Sequence, residues 1–76
     1  MLGHPKYNRD EKVKFKIIHE NREYTLSGYI YIVDAYGTFE QNEEPSYDIM
    51  AHAPFEPFNG EEILFKHVRE GSVTHE

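Results

Sequence analysis

Residues 24–36 read YTLSGYIYIVDAY, and the layout of this run sets the architecture. It is dense in aromatic and β-branched side chains, the types that favour strands. Gly28 interrupts it, at a position where a bulge or a sharp bend is expected. Beyond Gly28, strict alternation puts Ile30 and Ile32 on one face and Tyr29, Tyr31 and Val33 on the other. A strand that is apolar on both faces is central in its sheet or wrapped into a barrel.

The flanking segments fit the same plan. Lys12–Ile18, KVKFKII, alternates with a period of two. Val13, Phe15 and Ile17 share one face and Lys12, Lys14 and Lys16 the other, as in a half-buried strand. Residues 19–23 are a polar turn, and residues 1–10 a loose lead-in. Tyr47–Ala53 is a third strand. Residues 54–60 are a connection, because their two prolines cannot donate to a ladder and Asn59-Gly60 favours a tight turn. Residues 61–70 admit two readings. Asn59, Glu62 and Gly71 are placed to cap a helix there. The strand reading takes Ile63–His67, then a 3-10 turn near 67–71 and a short last strand around Ser72–Thr74. A mainly all-β chain of about five short strands implies a small antiparallel barrel, which hides its edges by closing. The alternative is an α+β chain with a helix at 61–70.

Three groups of residues resemble a known family: Gly28-x-Ile30-x-Ile32-Val33-Asp34-x-x-Gly37-Thr38, then Pro45-Ser46-Tyr47-Asp48-Ile49, then Leu64-Phe65-Lys66-His67-Val68-x-Glu70. Over residues 12–74 the chain resembles small SH3-like-barrel proteins of bacteria and their phages or mobile elements, mostly uncharacterised. The resemblance implies a fold, favours strand over helix at 61–70, and implies little mechanism. The chain lacks the Ala-Leu-Tyr-Asp-Tyr segment and the paired tryptophan of eukaryotic signalling SH3 domains, so proline-rich peptide binding is not implied.

Composition narrows the function classes. Seventy-six residues make one domain with a thin stability margin. No cysteine is present, so disulfides and thiolate zinc sites are excluded. Stabilisation falls to six tyrosines and five phenylalanines. No apolar run marks a secretory signal or a membrane span, so a soluble cytoplasmic protein is expected. The net charge of −6 is uneven, with +2 over residues 1–33 and −8 over residues 34–76. An acidic chain is repelled by phosphate backbones and suits a basic protein partner.

Candidate chemistry is sparse. Glu40, Glu43, Glu44 and Asp48 lack the alternating oxygen ligands of a calcium loop. His52 and Asp48 share a face but stand roughly 13 Å apart along a strand, too far to grip one ion. His67 and Glu70 supply only two ligands, and His67 is expected to anchor the turn through its ring. No nucleophile elbow or phosphate-cradling glycine loop is present. No metal, no cofactor and no enzymatic activity are therefore expected. The expected site is an aromatic patch of Tyr29, Tyr31, Tyr36, Phe39 and Tyr47, flanked by Glu40, Glu43, Glu44 and Asp48. It would hold a protein segment carrying Arg or Lys, the rings giving contact area and the acids steering. Two alternatives stand beside it. One is nucleic-acid binding along Lys12, Lys14 and Lys16, although those lysines also suit the protection of an edge strand. The other is self-association through the tyrosines, with a monomer expected.

Overall fold

The structure, a computed structural model, describes residues 5–34 and 45–76. Among the described residues the chain is mainly β: β1 (Lys12–His19), β2 (Arg22–Asp34), β3 (Ser46–His52), β4 (Glu62–Arg69) and β5 (Val73–His75). A 3-10 turn over Glu70–Ser72 joins β4 to β5. All pairings are antiparallel, in one sheet of order β4-β3-β2-β1-β5. The helix weighed for residues 61–70 does not form. This segment pairs with β3 from His52↔Glu62 to Ser46↔Arg69, and the ladder takes up backbone groups that a helix would have bonded internally.

The sheet is strongly curled. Three strand spacings separate β1 from β4, about 14 Å in a flat sheet, yet the Phe15 and Phe65 rings meet edge to face at 5.3 Å. Curling encloses one core built from Val13, Phe15, Leu26, Ile30, Tyr47, Ile49, Ala51, Val68 and Val73. The alternation in β1 holds as the sequence implies. Val13 and Phe15 are buried, while Lys12, Lys14 and Lys16 are exposed. The β1–β2 hairpin turns tightly at Glu20 and Asn21, both left-handed (φ 50° and 63°), with His19 opposite Arg22.

The layout of β2 differs from strict alternation. Gly28 is not a bulge. It sits in regular register between Val13 and Ala51. Its lack of a side chain serves a close approach, because a Cβ there would stand 2.2 Å from the Met50 carbonyl oxygen. The bulge falls two residues later. Ile30 pairs with Ile49 and Ile32 with Asp48, so Tyr31 is an extra residue. The insertion shifts the parity of the rest of the strand. Ile32 turns to the outer face and is 47% exposed, while Val33, opposite Tyr47, turns inward and packs on the core.

The N-terminal segment is not a loose lead-in from residue 5 onward. Tyr7 is a core residue, 6% exposed. The Asp10 N–H donates to the Ile30 carbonyl at 2.8 Å and the Ile30 N–H to the Glu11 carbonyl at 3.0 Å. The polar composition of residues 1–10 hides the one ring that docks.

Candidate functional site

Of the nine residues expected to form the site, four fall among the described residues: Tyr29, Tyr31, Tyr47 and Asp48. Tyr36, Phe39, Glu40, Glu43 and Glu44 lie outside the described residues. The other four divide into two groups with different work.

Tyr47 is wholly buried and offers no surface to a partner. Its phenol is the hub of a network that ties three parts of the chain. The Lys6 and Tyr7 backbone N–H groups donate to its oxygen at 3.1 and 3.3 Å. The Tyr47 hydroxyl donates in turn to Glu70 Oε2 at 2.7 Å, which also accepts from the Lys6 N–H at 3.0 Å. The Tyr7 ring meets Tyr47 edge to face at 5.6 Å, and its own hydroxyl donates to the Val73 carbonyl at 2.9 Å. The Glu70 N–H donates to the Pro45 carbonyl at 3.0 Å. β3, the 3-10 turn, β5 and the N-terminal segment are thus pinned at one mouth of the curled sheet. Burial, with the Glu70 carboxylate second, pushes the Tyr47 pKa up to about 12. The phenol is held as a neutral donor across physiological pH.

Asp48 is a backbone support. A second bulge lies across from it in β4, where the register passes from Tyr47↔Val68 to Ile49↔Phe65 with one residue too many. His67 takes up the left-handed backbone there, at φ 59°, and its N–H donates to Asp48 Oδ1 at 3.0 Å. The main chain of His67 is thus tied to β3 at this bulge, just before the 3-10 turn. Asp48 therefore lies between two bulges, one on each neighbouring strand.

Tyr29 and Tyr31 are on the outer face. Tyr29 is half-buried between Lys12 of β1 and Met50 of β3. Tyr31 is 44% exposed. Together with Ile32, Val33 and Arg9 it lines a shallow concavity. The Arg9 guanidinium carbon stands 6.0 Å from the Tyr31 ring centroid, at the limit of a cation–π contact. Sequence reasoning missed Ile32 and Arg9. Ile32 was hidden by the parity shift at the β2 bulge, which periodicity cannot reveal, and Arg9 by its place in a segment read as a loose lead-in.

A second aromatic cluster sits at the opposite end of the sheet. His19 stacks on Phe55 at 4.0 Å, and Tyr24 and Phe58 close around it. The 54–60 connection is held there by hydrogen bonds of its own, among them Gly60 N–H to the Ala53 carbonyl at 2.7 Å. This cluster is explained by packing.

Among the described residues no three His, Asp or Glu side chains converge to hold a metal ion, and no helix is long and apolar enough to cross a membrane. Set against known protein families, curated proteins and solved structures, the chain matches none of them.

Proposed function

We propose that the protein is a small SH3-like barrel that works in the cytoplasm as a non-enzymatic interaction module. It holds a basic protein segment on the outer surface formed by Tyr31 and Ile32. The observation that carries this reading is the β2 bulge. It turns two large apolar residues outward side by side, at 44% and 47% exposure. Among the described residues, Ile18 alone is another large apolar side chain this open to solvent. Tyrosine is among the residues that dominate binding energy at interfaces, and an apolar neighbour such as Ile32 helps exclude water around it. The Tyr31 ring stands within cation–π range of Arg9, and an arginine of the partner would take that place by displacing it. The excess of carboxylates over residues 34–76 supports steering of a basic segment toward it. Tyr47 and Asp48 drop out of the binding surface. Tyr29 and Tyr31 stay in it, and Ile32 joins them.

Amide chemical shifts followed during titration with a short Arg- and Leu-containing peptide test the proposal. Shifts centred on residues 29–33 that disappear in a Tyr31→Ser, Ile32→Thr double variant are expected. Shifts spread evenly over the acidic surface, or unchanged in the double variant, would overturn it. Light scattering on the free protein separates self-association through the same face, which would appear as a dimer that the double variant abolishes.

A further inference from the structure

Lys12, Lys14 and Lys16 need an explanation other than the shielding of an edge. β5 pairs with β1 over Val13–Phe15 and β2 covers its other side, so β1 is an inner strand where Lys14 stands. All three side chains are exposed on the outer face. None is held in a salt bridge among the described residues. Three unpaired cations on one side of one strand repel each other, and an anionic partner removes that cost.

We infer that this outer face of β1 is a track for single-stranded nucleic acid, beside the Tyr31–Ile32 surface and sharing Tyr29 with it. Three observations select that occupant. Alternate residues of a strand repeat every ~6.7 Å, a step close to that of one nucleotide in an extended single strand, so consecutive lysines meet consecutive phosphates. Hydroxyl groups flank the track: Ser27 and Thr25 lie opposite Lys14 and Lys16 on β2, and Thr74 lies opposite Lys14 on β5. Beside the track, Lys12, Ser27, Tyr29, Met50 and His52 line a concavity on the same face. There Tyr29 with Met50 offers an apolar floor on which a base stacks. Glu62 and Glu76 also line that concavity, so a neutral base rather than a phosphate suits it. The net charge of −6 limits affinity and disfavours a wide polyanion such as a duplex. A narrow strand that touches only the β1 side carries fewer phosphates past the acidic residues than a duplex would, and salt screens the more distant ones. Ile18, 75% exposed, continues the lysine row. A lone isoleucine is too small an anchor to make the face a lipid-binding one.

The test is fluorescence anisotropy of a labelled 12-nucleotide oligo-dT and of its oligo-U counterpart, from 20 to 200 mM salt. Three phosphate contacts predict that log K falls with log salt at a slope of about −2. The Lys12→Gln, Lys14→Gln, Lys16→Gln triple variant is expected to lose at least tenfold in affinity at 20 mM salt. Its circular dichroism should stay unchanged and its melting temperature should not fall, because the three side chains are exposed and their mutual repulsion is removed. Tyr29→Leu is expected to weaken binding about fivefold or more with the salt slope unaltered. No binding at 20 mM salt would overturn the inference. So would equal affinity in the folded triple variant, or capture by phosphatidylserine vesicles without binding of either oligonucleotide.

Discussion

Tyr31 and Tyr47 lie two residues out of register on neighbouring strands, yet one is 44% exposed and the other wholly buried. The mouth of the sheet around Tyr47 gathers backbone and side-chain polar groups into a closed network. The outer face around Tyr31 leaves apolar surface open to solvent. Alternation puts Tyr31 outward beside inward Ile30, and Tyr47 inward with Ile49, while the extra residue in β2 turns Ile32 outward next to Tyr31. The parity of a strand sets which face a side chain takes, and a bulge resets it. A tyrosine in such a run therefore carries no intrinsic assignment to surface or core.

Measurements on each side of this contrast put it at risk. The largest effect is expected from Tyr47→Ala. It removes a buried ring and takes the acceptor from the Tyr7 N–H, and is expected to cost about 3–5 kcal/mol in urea unfolding. Tyr47→Phe keeps the ring and should cost about 1–3 kcal/mol. An unaffected melting temperature in either variant would show that the mouth network does not hold the fold.

The raised pKa of Tyr47 has its own consequence at high pH. The folded state keeps the phenol protonated up to about 12, while the unfolded chain releases that proton near its ordinary value of ~10. The unfolded state thus binds fewer protons between those values. The stabilisation is complete below pH ~10 and is lost as pH rises toward 12, by about 2–3 kcal/mol. The stability difference between the wild type and Tyr47→Phe should shrink across this window. A constant difference would contradict the buried, Glu70-bonded phenol.

Asp48→Ala removes the acceptor for the His67 N–H in the β4 bulge and is expected to cost about 1–2 kcal/mol in thermal or urea unfolding. Its effect should be local, seen as faster amide exchange around His67. The smallest effect belongs to the outer face. Because Tyr31 is the extra residue, deleting it restores plain alternation with Ile30 inward, Ile32 outward and Val33 inward. The deletion is expected to shift stability by no more than about 1 kcal/mol and to preserve the Val33–Tyr47 pairing, as checked by cross-strand nuclear Overhauser contacts. Loss of that pairing would show that the bulge itself holds the register.

Much of the fold was legible in the residues, and for a common reason. Where one face is core and the other solvent, burial enforces the period of two. Val13 and Phe15 against Lys12, Lys14 and Lys16 needed no tertiary knowledge, nor did the Glu20–Asn21 turn. Gly28 was legible as a special position but not in kind, since the carbonyl it makes room for belongs to β3. Residues 61–70 carried caps and spacing good enough for a helix, and pairing with β3 overrode them. The site was less legible. Tyr47 and Asp48 read as surface recognition residues because an aromatic ring and a carboxylate look alike whether they meet a partner or their own backbone.

The strand-rich composition, the outward lysine row, the lack of sulfur chemistry and the acidic half are all properties of the residues alone, because local alternation and charge need no partner to be read. Which tyrosine is core, that Tyr7 docks and that Ile32 faces solvent were settled by tertiary contacts. Each of these depends on a meeting of segments far apart in the chain or on one inserted residue, and neither leaves a trace in local periodicity.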